Sequence, residues 1–110
     1  MEYQHRSLAN GRWQELSFFE QMANIGSEIE RAIKWKNKNN AQYCRMSLER
    51  ALELLDLTIE SKKDINCLRE LLRLREALAD YFVFENSYGS SDEKWYRYFY
   101  AFSFAARINH

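Results

Sequence analysis

The sequence predicts an all-α fold, an antiparallel up-down four-helix bundle, on three observations. Proline is absent from the 110 residues and glycine occurs only three times, so the chain lacks the turn formers that strand-rich folds recruit. Apolar residues recur at helical spacing over long stretches. Capping signals and polar breaks divide those stretches into helices at about 17–38, 41–60, 65–84 and 91–108. The length fits one domain, and 46% hydrophobic with 29% charged residues is the composition of a globular chain. Residues 1–16 read as an N-terminal arm docking on the bundle, and 17–110 as the bundle domain.

The arm has weak periodicity, and Asn10-Gly11 is a turn signal. Trp13 and Leu16 are the residues expected to dock. The first helix opens at Ser17, whose hydroxyl and the carboxylate of Glu20 form a capping box that satisfies free backbone N–H groups. Phe18, Met22, Ile25, Ile29, Ala32 and Ile33 fall on one stripe, flanked by Ala23 and Gly26. A mid-helix glycine costs about 1 kcal/mol relative to alanine, so close approach of a neighbouring helix is expected at Gly26. Lys34, Lys36 and Lys38 offset the dipole at the C-terminus.

The second helix carries Cys44, Leu48, Ala51, Leu52, Leu55, Thr58 and Ile59 on its apolar side, with Glu49, Glu53, Asp56 and Glu60 toward water. Asp64 is the expected N-cap of the third. There Leu68, Leu71, Leu72, Leu78, Ala79 and Phe82 are expected to share a face. Ser90 with Glu93 suggests a second capping box, which opens the fourth helix. Short connections make sequential helices antiparallel. A three-helix core with the last helix exchanged onto a partner is the alternative.

The fourth helix holds Trp95, Tyr96, Tyr98, Phe99, Tyr100, Phe102 and Phe104. At 3.6 residues per turn these cover roughly 240° of its circumference, far more than the one stripe a surface helix hides. Trp95, Tyr96, Phe99, Tyr100 and Phe102 are therefore the expected interface residues of a homo-oligomer or of a complex with a protein partner. Cover by Trp13, Leu8 and Tyr3 of the arm competes with that reading, and so does a base-stacking surface.

Arg75 stands between Leu71, Leu78 and Phe82, where a buried guanidinium needs a hydrogen-bonded partner. Glu28, Asp56 and Asp80 are candidates by type. The alternatives are a structural ion pair, a snorkelling side chain, or an anion site. Arg31, Lys34 and Lys38 project from one side of the first helix beside Trp35, a pattern that serves either solubility or a phosphate backbone.

The 16 basic and 16 acidic side chains cancel, which disfavours a general nucleic-acid binder and favours association. Cys44 and Cys67 fall at opposite ends of an antiparallel pair, too far apart for a disulfide. They read as reduced thiols of a cytoplasmic protein. No segment has a signal-peptide layout, and no apolar run reaches the roughly 20 residues of a membrane span. His5 and His110 lie near the termini, away from any cysteine or second histidine at ligand spacing, so no metal or other cofactor is expected. No phosphate-cradling glycine loop occurs, and no nucleophile has a histidine neighbour at helical spacing.

In size and class the chain resembles the HEPN ribonucleases and nucleotidyltransferase partners, whose active members carry an arginine and a histidine a few residues apart near the last helix. Here the end reads Arg107-Ile108-Asn109-His110, a closer spacing than that motif, so no catalytic residue carries over. The resemblance covers no specific motif. Two functions follow: a non-enzymatic helical interaction module, as oligomeric adaptor or accessory subunit, or an RNA-binding protein or HEPN-like ribonuclease lacking the usual Arg/His motif.

Overall fold

The computed structural model describes residues 11–108, which form a short 3-10 turn, Arg12–Glu15, and four α-helices with no strand among them. Helix α1 spans Phe18–Asn37, α2 Ala41–Ser61, α3 Ile65–Phe82 and α4 Asp92–Ile108. The helices form a bundle in which α1 packs against α2 on one side and α4 on the other, while α3 lies against α2. Tyr3, His5 and Leu8 of the arm, and His110 at the other end, fall outside the described residues.

Local chemistry fixes the ends of these helices. The Ser17 hydroxyl accepts from the Glu20 backbone at 3.1 Å, and the Glu20 carboxylate accepts from the Ser17 N–H at 3.0 Å, completing the capping box. At the other end, Asn39 takes the left-handed conformation (φ 59). The Asn39 and Asn40 amides donate back to the carbonyls of Lys36 and Trp35, the double closure that stops a helix and reverses the chain. Asn40 then caps α2 by accepting from the Tyr43 amide at 3.1 Å. Asp64 caps α3 through the Asn66 amide at 3.0 Å.

The core is a seam of Met22, Ile25, Ile29, Ala32 and Ile33 from α1 against Leu48, Ala51 and Leu55 from α2, closed by Leu71, Leu74 and Leu78 of α3. Trp13 is sealed in its end. Its indole N–H donates to the Thr58 hydroxyl at 2.9 Å, Thr58 donates onward to the Leu54 carbonyl, and the buried Gln21 amide donates to the Trp13 carbonyl. Burying Trp13, Thr58 and Gln21 together therefore leaves none of the three without a hydrogen bond.

Three expectations need correction. On α3, Leu74 is buried and Leu72 is 46% exposed, so the apolar face turns toward Leu74. That rotation moves Arg75 from the centre of the face to its edge, where it is half-exposed. On α2, Leu54 and Leu57 join the core beside the expected stripe, because Leu57 lies under the 3-10 turn, where its carbonyl accepts from Gln14. At α4 the cap is Ser91, whose hydroxyl accepts from the Lys94 amide at 3.2 Å. Ser90 is held instead by Asn86, whose side-chain amide bonds both its N–H and its carbonyl.

Candidate interaction surface and basic recess

The two sides of α4 have different surroundings. Trp95 and Phe99 point inward and are almost fully buried. Phe99 lies across Gly26 of α1, so close that a methyl group on Gly26 would sit 2.7 Å from the Phe99 Cβ. Glycine is what lets α4 seat there. Phe102 is half-buried, edge-on to Phe18 with ring centres 6.0 Å apart. On the α3 side, Trp95 meets Tyr81 of α3 with ring centres 6.3 Å apart and Tyr98 of its own helix at 6.2 Å.

The outward side carries Tyr96, Tyr100, Phe104 and Ile108, each four residues from the last, at 40%, 58%, 49% and 63% exposure. Tyr100 and Phe104 stack on one another with ring centres 6.3 Å apart. Of the five residues expected at an interface, Trp95 and Phe99 thus belong to the chain's own core. Tyr96 and Tyr100 are exposed, and Phe104 and Ile108 extend their line. The i, i+4 spacing is the signal that separates the two sets, and the aromatic count alone concealed it.

The start of α4 is pinned by a charged cluster. Lys36 Nζ of α1 donates to the Tyr81 hydroxyl of α3 at 2.8 Å and to Asp92 of α4 at 2.9 Å. Tyr81 also donates to Asp92, and Asn37 donates to its other oxygen at 3.0 Å. Burial alone would push the Asp92 carboxyl up, but the bonds from Lys36, Tyr81 and Asn37 outweigh it and hold its pKa below the ordinary value. Burial would push Lys36 down, and the bonds to Asp92 and Tyr81 carry it above its ordinary value instead. Burial, reinforced by the bond to Asp92, raises the Tyr81 phenol. The cluster needs three helices brought together, so the sequence pattern reached Lys36 only as a helix-end cation.

Arg31 and Lys34 stand on a ridge between two recesses. One, of about 340 Å³ between α1 and α2, is walled by Trp35, Tyr43, Met46 and Arg50. The other, between α1 and α4, includes Lys38 and Tyr96. The rings of Trp35 and Tyr43 meet edge to face at 5.0 Å, and Lys38 Nζ sits 5.4 Å from the Trp35 ring centre. Glu28 is the recess's counter-charge, 3.2 Å from Arg31 and 3.9 Å from Arg50. Tyr43 and Arg50 escaped the sequence reading. They share a helical face on α2, but only the α1–α2 pairing brings that face beside the basic ridge.

Arg75 does not join this ridge. Its Nε donates to Asp56 at 2.8 Å and its Nη2 to the second oxygen at 3.3 Å, so the planar fork that would grip a phosphate is already engaged by a carboxylate. Among the described residues no group of three or more His, Cys, Asp or Glu is placed to hold a metal ion, and no helix is long and apolar enough to cross a membrane.

No family model matches the chain, and the searches of curated proteins and of solved structures found no match.

Proposed function

We propose that this chain is a non-enzymatic helical interaction module, an oligomeric adaptor or accessory subunit, that docks through the outward side of α4. The observation carrying this reading is the exposed line Tyr96, Tyr100, Phe104 and Ile108. Single exposed apolar residues are ordinary, whereas a contiguous line along one helix is the kind of patch that marks a binding surface. Tyrosine and phenylalanine suit such a surface because they bring large contact area at little conformational cost. A second copy of the chain is the first partner to test, since a neutral chain offers no net repulsion against itself. Cys44 and Cys67 are both free thiols, in keeping with a cytoplasmic setting.

Sedimentation velocity across a concentration series tests the reading. The wild-type protein is expected to shift from monomer toward a larger species. Tyr100→Asp, which places a charge in the middle of the line, is expected to stay monomeric with an unchanged helical spectrum.

One observation favours a second reading, RNA binding. Arg31, Lys34 and Arg50 converge on a recess walled by Trp35 and Tyr43, which joins phosphate-binding cations to rings on which a base stacks. Binding through three such cations would show a log–log salt slope of about −2 with single-stranded RNA, lost in Lys34→Glu/Arg50→Glu. No binding at low salt removes this reading.

A further inference from the structure

The outward side of α4 is patterned symmetrically about one residue. Glu93, Tyr96, Tyr100, Phe104 and Arg107 occur at steps of three, four, four and three, so the spacing reads the same from either end of the helix. At 3.6 residues per turn all five fall within about 80° of arc centred on Tyr100. All five are exposed, and neither Glu93 nor Arg107 has an ion-pair partner among the described residues. Within these five residues the chemistry is symmetric in its apolar part and opposite in its charged part: aromatic, aromatic, aromatic in the middle, acid at one end, base at the other, while Ile108, about 80° round from Tyr100, lies outside the set.

A closed pair of identical subunits places residue i on j and j on i. We infer that the partner of this surface is a second copy of the chain, joined α4 to α4 in antiparallel register about a two-fold axis at Tyr100. Each Tyr96 then faces a Phe104, the two Tyr100 rings meet at the axis, and Glu93 and Arg107 pair at both ends. A parallel pairing would instead set Glu93 against Glu93 and Arg107 against Arg107. The antiparallel arrangement also opposes the two helix dipoles favourably. A contact made chiefly by one helix from each subunit is smaller than the roughly 800 Å² per partner of a standard interface. Association in about the micromolar range is therefore expected.

This register rests on the proposed docking role of α4, and the two are separable by experiment. Glu93→Arg and Arg107→Glu each create like-charge pairs at both ends of the homodimer and are expected to weaken association about tenfold. Mixed in equal amounts, the two variants can form a heterodimer in which both arginines of the first chain face both glutamates of the second. That mixture, and the Glu93→Arg/Arg107→Glu chain alone, are expected to return to wild-type affinity by sedimentation. Arg73→Glu on the exposed side of α3 controls for net charge. A mixture no tighter than its components overturns the register, while loss of assembly in Tyr100→Asp keeps the surface. A wild-type chain that stays monomeric up to hundreds of micromolar overturns both.

Discussion

The inner and outer sides of α4 use the same residue types for opposite ends. Trp95 and Phe99 are buried against α1 and α3, and their rings are covered within one chain. Tyr96, Tyr100 and Phe104 stand on the other side of the same helix and keep 40% to 58% of their surface in contact with water. The difference arises at Gly26. Without a side chain there, α1 admits the root of Phe99 and draws one side of α4 into the core. Nothing among the described residues does the same for the other side. Aromatic content thus measures how much surface a helix offers for burial, and a single small residue on its neighbour decides which part is buried at home.

The largest effect should come from emptying the inner side. Phe99→Ala removes a ring that is 2% exposed, and such truncations cost about 3–5 kcal/mol. Urea unfolding should show a midpoint lowered to the edge of stability, with α4 no longer protected in hydrogen exchange. A change below about 1 kcal/mol would mean that Phe99 is not what seats α4.

Next in size is Gly26→Ala. Alanine is favoured over glycine in a helix by about 1 kcal/mol, so the local preference predicts a gain. The added methyl, however, lies 2.7 Å from the Phe99 Cβ, an atom fixed to its backbone that no rotamer change can move. Relief requires α1 and α4 to part, and overpacking of that kind costs about 1–3 kcal/mol. A net loss of up to about 2 kcal/mol is expected in urea unfolding. Phe99→Ala should relieve it only in part, because it removes the 2.9 and 3.0 Å contacts to the ring and keeps the one to Cβ.

How much of this was legible beforehand depends on whether one helix or two carried the signal. The α1 stripe from Met22 to Ile33 and the Ser17–Glu20 box are local patterns, and they read true. So did Gly26, because a glycine inside a strong helix is itself an anomaly that calls for a neighbour. The sequence pattern puts Leu72 on the shared face and leaves Leu74 off it because apolar side chains occupy positions 68, 71, 72, 74 and 78 of α3, more than one face can hold. Only the fit against α2 selects among them. The Lys36–Tyr81–Asp92 cluster and the Trp35–Tyr43–Arg50 walls join residues from different helices, so no periodicity within a single helix contains them.

The charged cluster gives a smaller and pH-dependent test of how α4 is anchored. Asp92→Asn keeps a carbonyl oxygen toward Lys36 and Tyr81 but removes the negative charge and replaces the oxygen that accepts from Asn37 with an amide donor, and should cost about 1 kcal/mol near neutral pH. The depressed pKa of Asp92 means that its contribution is present above the unfolded value, about 3.9, and is lost as pH falls through the lower folded value. Lys36 and Tyr81 are raised, so their contributions hold below their unfolded values and fade as pH rises through the folded ones. The wild-type stability profile should therefore fall off below about pH 4 and above about pH 10. In Asp92→Asn the acid limb should flatten, and the gap between the two proteins should close toward low pH. Parallel profiles would show that the cluster does not hold the start of α4 through charge.

The smallest effect on folding should come from the outer side. Tyr100→Ser replaces a ring that is 58% exposed with a residue of similar helix propensity. At concentrations where the chain is monomeric, its unfolding free energy should stay within about 0.5 kcal/mol of wild type. At high concentration the two proteins should diverge, because association stabilises only the chain that can associate. The wild-type unfolding midpoint should climb with protein concentration and the variant's should not. If Tyr100→Ser instead destabilises the dilute monomer as much as a core truncation does, the outer side is already covered within the chain, and the contrast between the two sides of α4 disappears.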